Sequence, residues 1–173
     1  MIRKITRYDE LDERKLMDLY AESNEENTAY FYPEETDRNK AVRQVEDGFL
    51  DFLKKDFFPQ AGNTYWVLEE EGVWCSALRL NRIEPQLYYL EALETRPDLR
   101  KRGYAARLLA GVLDALKEEG TYRLCDCVSK KNTASLKTHL KCGFKIVMEK
   151  GYDYLFQEEC EGDYGLEYRN NPA

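Results

Sequence analysis

A single α/β domain with a mixed central sheet of about seven strands and helices on both faces is predicted from three observations. A strand, a helix and a second strand follow one another between Leu87 and Val128, the pattern of a βαβ unit with a right-handed connection and parallel strands. Two aromatic-rich strands flank Glu70-Glu71-Gly72, which predicts an antiparallel hairpin. Apolar residues recur at helical spacing in several further segments. Along the chain the predicted order is β-α-α-β-β-β-α-β-α-β-β.

Ile2 to Thr6 reads as the first strand, and Asp9 to Glu22 carries Leu11, Leu16, Leu19 and Tyr20 at mostly helical spacing. Ser23 to Glu35 is polar, then aromatic, and contains Pro33, so it reads as a loop. Thr36 to Phe58 presents Val42, Val45, Phe49, Leu50, Leu53 and Phe57 on one side of a helix that Pro59 and Gly62 close. Strands follow at Thr64 to Glu69, Val73 to Leu80 and Leu87 to Thr95. The amphipathic helix from Gly103 to Glu119 stops at Gly120. Tyr122 to Val128 is a strand, Thr133 to Lys141 a helix and Phe144 to Met148 a strand. Tyr152 to Phe156 and Tyr164 to Tyr168 are expected to form a terminal hairpin, which offers an edge for a homodimer.

Length and composition narrow the function. The 173 residues suit one core and one domain spanning 1–173. A net charge of -7 argues against general nucleic-acid binding and suits a cationic small molecule. No apolar run approaches a bilayer span, and MIRKITRYDE lacks the apolar core of a signal peptide, so neither membrane nor export is expected and a cytoplasmic location is. The odd set Cys75, Cys125, Cys127, Cys142 and Cys160 lacks metal-ligand pairing, so reduced thiols and no metal are expected.

The segment LETRPDLRKRGYAARLL holds the most informative local conflict. Arg100, Lys101 and Arg102 put positive charge beside the positive end of a helix dipole, which an anion would relieve. Free N–H groups at the helix start form a phosphate site, Gly103 lets a ligand approach closely, and Ala105 and Ala106 stay out of the way. A solvated basic turn is the alternative. Neither a P-loop nor a GxGxxG dinucleotide fingerprint is present.

This segment, with NTASLKTHLKCGF further on, resembles the GNAT superfamily of N-acetyltransferases. The first motif is similar to that family's strand, proline and (Arg/Gln)-x-x-Gly-x-(Gly/Ala) turn, with Ala105 where glycine is commoner. The second is similar to its Asn-started helix ending in Gly-Phe, and the core motifs span 87–148. The resemblance implies acetyl-CoA as cosubstrate, with Arg100, Lys101, Arg102, Gly103, Tyr104, Ala105 and Ala106 at its pyrophosphate. Leu93, Glu94 and Thr95 would hold the pantetheine arm and thioester by their backbone. Asn132 would meet the cofactor from the opposite strand, although Asn is also a favoured helix N-cap. His139 stands where the family often has a tyrosine that protonates the departing thiolate; a buried packing role is the alternative.

An aliphatic ammonium, with a pKa of about 10, must lose a proton before it attacks a thioester. Plain strand alternation puts Tyr89, Glu91, Leu93 and Thr95 on one face, which makes Glu91 the candidate base with Tyr89 sharing the role. An ion pair between Glu91 and Arg79 is the alternative. The resemblance assigns residues 23–62 to the acceptor side, where Glu25, Glu26, Tyr30, Tyr32, Glu34 and Glu35 could receive a cation. The expected function is direct acetyl transfer to the primary amine of a small molecule in a ternary complex. A protein N-terminus or lysine as acceptor, or a non-catalytic CoA-binding domain, are the other readings.

Overall fold

The computed structural model describes residues 1–170, so the last three residues of the predicted domain lie outside the described part. Seven strands form one sheet in the order β1-β2-β3-β4-β5-β9-β6. They are β1 (Ile2–Ile5), β2 (Thr64–Glu70), β3 (Val73–Glu84), β4 (Leu87–Thr95), β5 (Arg123–Ser129), β6 (Lys145–Met148) and β9 (Asp163–Arg169). Only β4 and β5 are parallel neighbours; every other pair in the sheet is antiparallel. The mixed α/β architecture agrees with the one predicted from the sequence.

The helices α1 (Glu13–Leu19), α2 (Ala21–Phe31) and α3 (Arg38–Phe52) cover one face of the sheet. There Leu16, Leu19, Tyr20, Leu53 and Phe57 bury against Tyr65, Val67, Trp74 and Ala77. The other face receives α4 (Tyr104–Glu118) and α5 (Thr133–Lys141). The stripe Leu108, Leu109, Val112, Leu113 and Leu116 packs on Leu78, Leu80, Leu90 and Leu124, the arrangement that its helical spacing dictates.

Two expectations are corrected. Ser23 to Phe31 is not a loop but most of α2, and the loop is confined to the residues between Phe31 and Arg38. The segment lacks an apolar stripe, so periodicity could not reveal it; Glu22 in its first turn favours a helix, and Pro33 ends it. The terminal hairpin is also different. β7 (Gly151–Asp153) pairs with β8 (Glu158–Cys160) as a separate two-stranded sheet, while β9 enters the main sheet between β5 and β6. Among the described residues no helix is long and apolar enough to cross a membrane.

Candidate active site

The rungs between β4 and β5 join only Leu87, Tyr88 and Tyr89 to Arg123, Leu124 and Cys125. Beyond them the strands part, so the edge of β4 from Leu93 to Thr95 is not taken by β5. A backbone edge of this kind can hold an extended amide-bearing chain through strand-like hydrogen bonds. β5 meanwhile stays fully paired to β9 on its other side, from Arg123 to Ser129.

β4 leads through the short helical turn Pro97–Leu99 to the basic turn and α4. Lys101 and Gly103 both adopt positive φ, 64° and 80°, which curls the chain tightly before the helix. The N-cap of α4 is Gly103, so no side chain caps the first-turn N–H groups. Lys101, Arg102 and Gly103 are exposed, and Tyr104, Ala105 and Ala106 are half-buried. These features fit an anionic group at the helix start. Arg100 differs from its neighbours: its guanidinium contacts Glu22 at 2.8 Å and Glu94 at 3.4 Å, turned toward α2. Tyr104 donates its hydroxyl to Glu70 at 2.9 Å and ties the turn to β2.

The plain alternation expected of β4 breaks at Ala92, whose φ is 53°. The register with β3 shifts here, from Arg79 opposite Glu91 to Ala77 opposite Glu94. This bulge puts one extra residue into the strand. Leu93 therefore packs on the α4 side while Ala92 packs with the α1–α3 side, and Glu94 joins Glu91 on that second face. The expected grouping of Glu91 with Leu93 and Thr95 is corrected accordingly. Tyr20 fixes the bulge by donating its hydroxyl to the Ala92 carbonyl at 2.6 Å.

The two carboxylates then differ in circumstance. Glu91 accepts from Arg79 at 3.0 Å and from Asn81 at 2.9 Å, the pairing that the sequence reading set beside its role as base. Arg79 in turn lies over the Phe52 ring. Glu94 accepts from Ser23 at 2.9 Å and faces a cavity. Burial raises its pKa above the ordinary carboxylate value, against the opposing pull of Ser23 and Arg100.

His139 and Asn132 both sit on α5. Asn132 caps the helix by accepting from the Ser135 N–H at 3.1 Å and is exposed. His139 is 0% exposed, with Nε2 at 2.8 Å from Asp126 Oδ2 and Nδ1 at 2.8 Å from the Ser135 carbonyl. Burial works against the imidazolium, but the hydrogen bond and charge of Asp126 outweigh it and raise the His139 pKa. Tyr89 is buried beside Tyr154, and its pKa is raised by burial and then by Cys127. Cys127 itself is pushed up to about 12, chiefly by burial, so it is no ready thiolate nucleophile.

A cavity of about 600 Å³ opens between α2, α3 and the β3–β4 pair, with Glu94 in its wall. Tyr32 lines it. Two of the acids expected there turn elsewhere, Glu25 to Arg38 and Glu35 to Lys40, and Tyr30 is 80% exposed, while Glu26 stays near enough to Glu94 to raise its pKa. Ser23, Gln44, Gly48 and the side chain of Glu94 escaped the sequence reading. Glu94 was assigned through its backbone alone, because the bulge cannot be seen in a string of residues. Asp126 left a readable signal, as a lone acid within the apolar strand YRLCDCV of a chain with one histidine.

Comparison with known proteins follows the same lines. A PaiA N-acetyltransferase from Thermoplasma acidophilum, solved with coenzyme A, shares 16% identity over 98% of this chain and 99% of that one, at a TM-score of 0.65. An aminoglycoside 6'-acetyltransferase type Ii shares 14% identity over 100% of this chain and 99% of that one, at a TM-score of 0.64. A ribosomal-protein-alanine N-acetyltransferase from Brucella melitensis shares 18% identity over 98% and 99%, at a TM-score of 0.60. No curated protein matches the chain. The model of the acetyltransferase (GNAT) family matches residues 14–144, three quarters of the sequence, and the chain belongs to that family.

Proposed function

We propose that this protein transfers an acetyl group from acetyl-CoA to the primary amine of a small molecule, within one domain spanning 1–173, by direct attack in a ternary complex. The observation that carries this reading is the cavity whose wall includes Glu94, beside the unpaired edge of β4. Acetyl-CoA supplies an activated acyl group with a thiolate that leaves readily. The backbone of Leu93 to Thr95 is suited to hold its pantetheine arm, and the start of α4 its pyrophosphate.

Glu94, with its pKa raised, attracts the ammonium and takes its proton directly or through one water. Glu91 keeps Arg79 neutralised under the cavity and so sets the charge of that floor. The buried thiols, whose pKa values are raised, favour direct transfer over an acetylated cysteine. His139 is fully buried, with Nδ1 on the Ser135 carbonyl and Nε2 at 2.8 Å from the Asp126 carboxylate, which favours a structural role for it over protonation of the thiolate.

A CoA-release assay with amines, aminoglycosides, polyamines and peptides tests the proposal. Glu94→Gln should lower kcat roughly 100-fold or more. Full activity of that variant removes Glu94 from the base role, and a peptide preferred over every small amine overturns the acceptor class. Isolation of an acetylated enzyme would overturn direct transfer.

A further inference from the structure

Glycine is the least favourable residue, proline apart, within a helix. Gly48 nevertheless occupies the interior of α3, between Gln44 and Phe52 at one-turn spacing, and all three line the cavity. Nothing lies within 4 Å of the point where a Cβ would stand on Gly48. No close packing and no positive φ therefore calls for glycine here. What a side chain at 48 would remove is cavity space.

One turn earlier, the Oε1 of Gln44 is buried without a hydrogen-bond partner among the described residues. A buried acceptor left unpaired is costly, and a turn of the Gln44 side chain toward a donor in the cavity it lines would satisfy it. Most of the remaining wall is apolar, with Phe31, Val45, Phe49 and Phe52 in it. Its charges are few. Arg79 is matched by Glu91, while Glu94 faces the space with Glu22 and Glu26 near enough to raise its pKa further.

Building on the proposed transferase reading, we infer that the acceptor is a bulky, mainly apolar monoamine with one positive charge and a hydrogen-bond donor on its far end. Glu94 receives the amine, Gln44 reads the distal donor, and Gly48 sets the size limit. An aryl-alkyl amine bearing a phenolic hydroxyl has this chemistry. A polyamine or an aminoglycoside does not, because the wall offers too few carboxylates for several ammonium groups.

Tyramine, phenethylamine, propylamine and spermidine serve as probes, with CoA release and direct calorimetric titration of each amine as separate readouts. Wild type should favour tyramine over phenethylamine by roughly tenfold in kcat/KM, and Gln44→Leu should erase that ratio. Gly48→Leu should lower the ratio of kcat/KM for tyramine over propylamine roughly tenfold or more. Gly48→Ala should raise the melting temperature, which shows that the glycine is not kept for stability. Spermidine as the best acceptor, or a Gly48→Leu variant with unaltered selectivity, overturns the inference. Titration separates the two levels: tyramine binding that Gly48→Leu weakens, without CoA release, sinks the transferase reading and leaves the pocket's ligand class standing.

Discussion

The imidazole of His139 and the carboxylate of Asp126 meet at 2.8 Å in the protein interior, joining α5 to β5 one residue past the last rung between β4 and β5. Ser135 O and Asp126 Oδ2 are both acceptors, and each stands 2.8 Å from a ring nitrogen of His139. Removing one partner leaves a buried charge unmatched. His139→Gln and Asp126→Asn should each lose about 3–5 kcal/mol of stability by urea denaturation. The sign of the pH effect follows from the raised His139 pKa. Its stabilisation is complete below the unfolded imidazole value of about 6.5 and is lost as pH rises through the higher folded value. The stability gap between wild type and His139→Gln should therefore narrow between neutral and alkaline pH.

Glu94 offers a second pH-dependent readout. Burial raises its pKa, while its hydrogen bond from Ser23 lowers it. As a base it must be ionised, so the acidic limb of kcat/KM should lie above the ordinary carboxylate range. Ser23→Ala removes a donor to the charged form and should move that limb to still higher pH. A limb that stays fixed in Ser23→Ala would assign the titration to another group.

Gly103 tests the phosphate turn. Its φ of 80° disfavours any residue with a Cβ, yet nothing lies within 4 Å of the place a Cβ would take. Gly103→Ala should thus cost about 1–2 kcal/mol through backbone strain alone, read as a lower melting temperature, with weaker CoA binding where the turn relaxes.

Asn132 separates capping from ligand contact. Serine is as good an N-cap as asparagine, so Asn132→Ser should leave α5 and the melting temperature intact. A loss of CoA affinity in that variant, measured by calorimetry, assigns Asn132 to the cofactor as well. Unchanged affinity limits it to the cap.

The parts legible in the sequence are those governed by local periodicity. α4 shows its apolar stripe outright, α5 has Asn132 before it and Gly143 after it, and the hairpin of β2 and β3 is marked by Gly72. α2 was hidden because its buried side chains, Asn24 and Thr28, are polar. The place of β9 between β5 and β6 is a long-range pairing that no local pattern encodes. Tyr89 and Glu91 were placed on a shared face correctly, since the strand alternates up to Ala92. Glu94 is hidden as a cavity-facing acid because one left-handed residue reverses that rule.

The bulge at Ala92 also gives the strand slack. In an unbroken strand two side chains on one face are separated by an even number of positions, yet Glu91 and Glu94 share a face three positions apart. Loss of the extra residue would leave Leu93 and Glu94 pointing as they do now and draw the basic turn about 3.3 Å closer to the paired part of the sheet. The span between the cavity floor and the basic turn can therefore change by one residue's length while each end keeps its orientation.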